Sequence, residues 1–271
     1  MINKVTKLTN KVTKLTRFWQ GRLRPRTLPP LFWHIGVPNF GDDINPALYE
    51  ELCGRRLRLA TDRRVPHFLG MGSILAAATE SSIVLGAGLI KPANVKRPLK
   101  VVSLRGELTR QHLGITEDIP LGDPMVLVSQ LMTPERGGDI GYIPHVSELR
   151  GIRDRIPPNI KLIDVRRQPT EVVREIGRCS LVLSQSLHGL IVADAFDIPN
   201  LWIAPSKKMM GGEFKFHDYF STLDAPKEKH EFSFELLANP TRSLASVGRF
   251  KGNKAEYRAI LRDAVQRGLP E

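Results

Sequence analysis

Residues 180–203, SLVLSQSLHGLIVADAFDIPNLWI, constrain the fold more than any other stretch of the chain. An apolar run at 181–183 passes through Ser184-Gln185-Ser186, and a helical pattern runs over 187–196. Pro199 then stops the helix before a second apolar run at 201–203. Strand, turn, helix and strand in so short a span is a repeating unit of a parallel sheet. His188 and Gly189 fall in the first helical turn, where unpaired backbone N–H groups and the positive helix end collect. An imidazole there either caps the helix or stands beside a docked anion.

The same grammar recurs on both sides. Residues 31–35 read as a strand leading to Asn39-x-Gly41-Asp42-Asp43, with Pro46 opening a helix through residue 52. Residues 67–75 carry a strand into a Gly70-x-Gly72-Ser73 turn, and 82–89 repeat that design. A strand at 99–104 delivers Arg105 to a helix start, and Gly122-Asp123-Pro124 makes a tight turn before the apolar run 125–127. In the second half, strands are expected at 139–143, followed by Pro144-His145, and at 161–165, with an amphipathic helix over 169–178. A last helix at 254–267 is expected to return to the first lobe. Apolar strands ending in glycines imply parallel sheets with ligand at their carboxyl edges. The predicted class is therefore α/β: a tail and linker (1–30), a first lobe (31–135), a second lobe (136–245) and a C-terminal helical segment (246–271).

Several of these turns carry residues suited to chemistry. Asp42, Asp43 and Asn45 suit sugar hydroxyls or proton acceptance, although Asp and Asn are also what a helix start prefers. The planar fork of Arg105 suits a carboxylate or phosphate, the competing reading being a surface salt bridge with Glu107. Neither glycine pair completes a dinucleotide fingerprint, which argues against nicotinamide chemistry. Cys53 and Cys179 lack metal-ligand spacing and read as reduced, structural thiols.

The net charge of +12 is unevenly placed. Eight lysines and arginines lie in residues 1–26 with no acid among them, leaving only +4 on the rest of the chain. That tail repeats NKVTKLT at 3–9 and 10–16, which sets Val5, Leu8, Val12 and Leu15 on one helical face flanked by lysines. A basic amphipathic helix on an anionic membrane surface and a disordered basic leader both fit this pattern. Nothing later offers a base-reading motif, so a nucleic-acid partner is not expected. No run approaches the ~18 apolar residues of a membrane span.

Taken in order, the motifs resemble the polysaccharide pyruvyl transferase family, and in particular its exopolysaccharide branch. They are Asn39-x-Gly41-Asp42-Asp43, Gly70-Met-Gly-Ser73, Ser103-Leu-Arg-Gly-Glu-Leu-Thr109, Gly122-Asp-Pro124, Ser186-Leu-His-Gly189 and Phe214-Lys-Phe-x-Asp218-Tyr219. The resemblance implies two Rossmann-like lobes with an inter-domain cleft, the GT-B-like plan of two-lobed sugar-nucleotide transferases. It also implies transfer of the enolpyruvyl unit of phosphoenolpyruvate to two hydroxyls of one sugar as a cyclic ketal, with release of phosphate. On this reading His188 shuttles protons and Arg105 holds the donor. The substrate-binding set is Asn39, Gly41, Asp42, Asp43, Gly70, Gly72, Ser73, Thr109, His145, Ser186, Gly189 and Lys215. No metal and no cofactor beyond the donor substrate is expected. The acceptor would be a lipid-linked oligosaccharide or polysaccharide at the cytoplasmic face of the inner membrane, reached through residues 1–26. Nothing in the sequence decides between a monomer and a homo-oligomer. Two departures stand out: many members carry Arg-Leu-His where this chain has Ser186-Leu187-His188, and some carry Arg-Asp-x-x-Ser where it has Arg105-Gly-Glu-Leu-Thr109. A nucleotide-sugar glycosyltransferase of the same two-lobed plan and a non-catalytic polysaccharide-binding relative are the competing readings.

Overall fold

The computed structural model describes residues 23–207 and 209–270. Two five-stranded sheets, parallel throughout, organise the chain. The first contains β1 (Pro30–Phe32), β2 (Arg58–Leu59), β3 (His67–Leu69), β4 (Ser82–Ala87) and β5 (Lys100–Leu104), in the order β2-β1-β3-β4-β5. The second contains β6 (Asp139–Ile143), β7 (Lys161–Leu162), β8 (Cys179–Ser184), β9 (Asn200–Ile203) and β10 (Lys229–His230), in the order β10-β9-β8-β6-β7. Central strands such as β4 are buried at every position, which is why they read as unbroken apolar runs rather than as alternation. The lobes are Rossmann-like.

Helices fill the connections: α1 (Phe40–Asp43), α2 (Asn45–Cys53), α3 (Glu107–His112), α4 (Leu149–Ile152), α5 (Pro169–Gly177), α6 (Leu187–Ala195), α7 (Phe214–Phe220), α8 (Phe234–Ala238) and α9 (Lys254–Arg267). Helix α5 is one-sided, burying Val172, Val173 and Ile176, whereas α6 is buried along its whole length. The run 125–127 is not a strand. It belongs to a 3-10 segment, Pro124–Gln130, capped by Asp123 and packed against α6, so the crossing between lobes is part of the core. Helix α9 packs on α2 and β5 of the first lobe, where Gln266 Nε2 donates to the Cys53 carbonyl and Tyr257 Oη donates to the Gly122 carbonyl at 2.6 Å.

The chain reverses direction across each sheet once. In the first sheet the reversal lies between β1 and β3, in the second between β6 and β8. Ligands of open parallel sheets settle outside the carboxyl ends of strands at such switch points. The segments leaving these four strands contain Asn39–Asp43, Gly70–Ser73, His145 and Gln185–Gly189 respectively. The two switch points face each other across the junction of the lobes. The basic repeat at 3–16 lies outside the described residues; Arg24 and Arg26, read as linker, are instead tied to the first lobe. The Arg24 guanidinium binds Glu50 and the Leu57 carbonyl, and the Arg26 carbonyl accepts from Arg58.

Candidate active site

On the first-lobe side, Asn39 is the extended N-cap of α1. Its side-chain oxygen accepts from Gly41 N at 3.3 Å while Asp43 Oδ2 accepts from Asn39 N at 3.0 Å, a reciprocal cap. Asp42 Oδ2 accepts from Asn39 Nδ2 at 3.3 Å. Both aspartates remain half-buried at the junction, so the capping reading and the ligand reading describe the same turn. Asn45 Nδ2 donates to the Asp42 and Met71 carbonyls, joining this turn to Gly70–Ser73. Gly72 sits at φ +108°, a left-handed conformation, with Asp42 beside it; Gly70 lies hard against Asn45, where a Cβ would fall 2.2 Å from Oδ1. Gly70 and Gly72 therefore shape the turn.

His188 meets this wall from the second lobe. A Cβ on Gly41 would lie 1.9 Å from His188 Nδ1, so glycine is what lets α1 and the imidazole share the space. The Phe40 ring meets the imidazole edge-on at 6.3 Å. His188 Nε2 points the other way, 3.7 Å from Oδ2 of the fully buried Asp123. Ser186, the N-cap of α6, makes no side-chain capping bond, which leaves the first-turn N–H groups of α6 without that partner. Ser184 Oγ instead closes the turn, accepting from Ser186 N at 3.0 Å and donating to the Ser186 carbonyl at 2.8 Å. Gly189 packs against Ser184 and Ile143, with no room for a side chain.

Arg105, the residue expected to hold the donor, is tied into protein contacts. It is wholly buried. Its Nε donates to Asp218 Oδ2 at 2.9 Å, Nη1 donates to Ser73 Oγ at 2.7 Å, and Nη2 donates to the Leu89 carbonyl and pairs with Asp218. Glu107, its expected partner, pairs with Arg110. Thr109, expected to touch substrate, is buried too: its N–H and Oγ1 donate to the two Asp218 oxygens at 2.8 and 2.7 Å. Arg105, Thr109 and Asp218 thus form a buried clamp between α3 of the first lobe and α7. The close approach requires Gly106, since a Cβ there would fall 1.7 Å from the Asp218 carbonyl oxygen. Of this group Ser73 is the half-exposed member at the junction.

Helix α7 also delivers Lys215 to the site. Its ammonium stands 5.3 Å from the Phe216 ring centroid and makes no hydrogen bond or ion pair among the described residues. Burial, reinforced by the Arg105 guanidinium and opposed by Asp42, lowers its pKa to about 8. His145, after β6, is lowered to about 4 by burial and then by Lys215, with Glu148 opposing. Its Nδ1 shares a 2.8 Å bond with Ser147 Oγ. Lys215 thus lies within electrostatic reach of Asp42, Arg105 and His145. Two residues that sequence reasoning left without a role belong here. Gln185 fixes the second switch point, accepting from Tyr142 Oη at 3.1 Å and donating to the Ala204 carbonyl at 3.2 Å. Asp123 lies behind His188; the Gly122-Asp-Pro124 turn was its signal, read as a tight turn and a family motif without a role for the carboxylate.

Comparison with known proteins gives this arrangement a family. A family model described as polysaccharide pyruvyl transferase matches residues 62–207, more than half of the chain. The chain belongs to the polysaccharide pyruvyl transferase family. The matched span holds the Gly70–Ser73 turn, Arg105, Asp123, His145 and His188, and leaves out the Asn39–Asp43 turn and Lys215. The succinoglycan biosynthesis protein ExoV of Rhizobium meliloti is 29% identical over 212 residues, which cover 72% of this chain and 65% of ExoV. The chain thus spans less than two thirds of that relative's length. Protein L143 of Acanthamoeba polyphaga mimivirus, itself uncharacterised, is 26% identical over 219 residues, 74% of this chain and 76% of L143. A crystal structure of an uncharacterised protein from Klebsiella pneumoniae superposes with a TM-score of 0.44 at 9% identity, covering 84% of this chain and 98% of that one. Among the described residues no helix is long and apolar enough to cross a membrane.

Proposed function

We propose that this family member transfers the enolpyruvyl unit of phosphoenolpyruvate to a sugar of an exopolysaccharide repeat unit, forming a cyclic ketal and releasing phosphate. The observation that carries the reading is the convergence of His188, Lys215, Asp42 and Asp43 where the two switch points meet, beside the uncapped start of α6. The donor bears a carboxylate and a phosphate, and the site offers fixed positive charge for them: the Lys215 ammonium and the α6 N-terminus. Lys215 supplies the charge that relatives with Arg-Leu-His would carry where Ser186 stands here.

Addition of the first sugar hydroxyl breaks its O–H bond, forms an O–C2 bond and converts the C2=C3 double bond into a C3–H bond. His188 takes the hydroxyl proton and returns one to C3 on this reading, and each such transfer contributes about 10²–10⁴-fold. Attack by the second hydroxyl at C2 then breaks the bond to phosphate, which leaves with the remaining proton. Asp42 and Asp43 orient the two hydroxyls. Arg105 acts through Ser73 and Asp218 as a positioning residue. The acceptor is read as lipid-linked, with residues 1–22 holding the protein at an anionic membrane surface. The two-lobed, GT-B-like plan leaves a nucleotide sugar as the rival donor.

The test is phosphate release from phosphoenolpyruvate, with and without a cell-envelope glycolipid extract, for wild type, His188→Ala and Lys215→Ala. Acceptor-dependent release that falls by at least about 10²-fold in His188→Ala is expected. No release with any acceptor, together with thermal protection by a nucleotide sugar and none by phosphoenolpyruvate, would replace this reading with glycosyl transfer.

A further inference from the structure

Among the described residues, His188 and Asp123 each present a buried polar atom with no hydrogen-bond partner, and the two atoms face one another. They are His188 Nε2 and Asp123 Oδ2, 3.7 Å apart. A buried polar group left unpartnered is costly, so the pair has reason to close. The gap exceeds a hydrogen bond by under about 1 Å, the looseness common in catalytic contacts before substrate binds. Among the described residues nothing else bonds that carboxylate oxygen. Asp123 is fully buried, and its Oδ1 already accepts from Met125 N at 3.0 Å. Three tyrosines lie within its electrostatic reach, and all turn their hydroxyls elsewhere: Tyr49 to the Leu85 carbonyl, Tyr257 to the Gly122 carbonyl, and Tyr219 to Asp194.

The two edges of the imidazole are therefore distinct. Nε2 is sealed inside, while the side chain as a whole keeps 10% exposure. Nδ1 lies on the edge that packs against Gly41, in the turn that carries Asp42 and Asp43. We propose that Asp123 is a positioning residue that holds the Nε2–H of His188, leaving Nδ1 as the nitrogen that exchanges protons with the reacting groups. This rests on the transfer reading for its catalytic consequence, but the pairing itself does not. Nδ1 would accept the proton of the attacking hydroxyl as the O–C2 bond forms. The resulting imidazolium, steadied by the Asp123 carboxylate, would deliver a proton to C3.

The full-length protein labelled with ¹⁵N-histidine tests the pairing without turnover. Long-range ¹H–¹⁵N spectra at pH 8.5, with the His188 signals identified by their loss in His188→Ala, should show Nε2 protonated and Nδ1 bare. Asp123→Asn keeps an oxygen for Met125 N and so preserves the cap. It should erase or reverse that tautomer and lower kcat by at least about 10²-fold, the loss known for a triad aspartate being ~10⁴-fold. KM for phosphoenolpyruvate should stay within about threefold, since the pair acts on the chemical step. A bare Nε2 in wild type, or an Asp123→Asn protein with the wild-type ring pattern or the wild-type kcat, would overturn the proposal. If wild type releases no phosphate with any acceptor, the transfer reading falls while the ring pattern still decides the pairing.

Discussion

Lys215 holds its ammonium where burial, with the Arg105 guanidinium as the second cause, brings the pKa down to about 8. The sign follows directly. The side chain is cationic below that value and loses its charge as pH rises through it, whereas a bound phosphate is already ionised above about pH 7. Affinity for phosphoenolpyruvate should therefore fall by about tenfold between pH 7 and pH 9, measured by thermal shift or fluorescence titration. Lys215→Met should bind weakly at pH 7 and show no such slope. A flat wild-type profile would remove Lys215 from the donor site. His145, lowered to about 4, is neutral across that window and adds nothing to the slope. At this scale the sequence could single out His188, Asp42 and Lys215, because each lies in the first turn of a helix that local pattern announces. The contacts of Arg105 were not legible, because its partner Asp218 lies 113 residues away and a pairing that distant leaves no periodic trace.

Helix α7 is fixed to the first lobe by the clamp of Arg105, Thr109 and Asp218, so the element that carries Lys215 depends on a fully buried ion pair. Removing one partner strands the other as a buried charge. Arg105→Ala should cost about 3–5 kcal/mol of stability, read from urea unfolding, in addition to any loss of turnover. A destabilisation below about 1 kcal/mol would show that the clamp is dispensable and return Arg105 to direct donor binding. The longer elements were legible because buried strands read as apolar runs and α5 repeats its valines and isoleucine on one face. Strands β2 and β10 were not: two residues each hold no pattern, and they exist only because a neighbouring strand offers free backbone groups. The 3-10 segment Pro124–Gln130 escaped for the opposite reason, since its apolar run fits a strand and a buried helix equally well.

At the scale of the molecule, each sheet reverses its order once, and the junction joins the two reversals; this follows from topology and no local motif could reveal it. The same scale holds the membrane reading, which concerns residues beyond the described fold. Deleting residues 2–22 removes six basic side chains and spares Arg24, whose bonds belong to the first lobe. Each is worth about 1 kcal/mol of attraction near an anionic leaflet. The truncated protein should stay in the supernatant when pelleted with phosphatidylserine vesicles at 0.1 M salt, and should keep its turnover on a soluble acceptor. Co-sedimentation equal to wild type would dismiss the tail as an anchor. Helix α9 has a consequence of another kind. Its buried face, Tyr257, Leu261 and Val265, lies against α2 and β5, elements made some two hundred and one hundred and fifty residues earlier. During synthesis the first lobe therefore leaves the ribosome with that groove bare and waits for about 150 further residues before it can close. Long-range closure of this sort slows folding and keeps apolar surface open to neighbours, so a chain stalled or cut before Lys254 would present a sticky, half-finished lobe to the quality-control machinery of the cell.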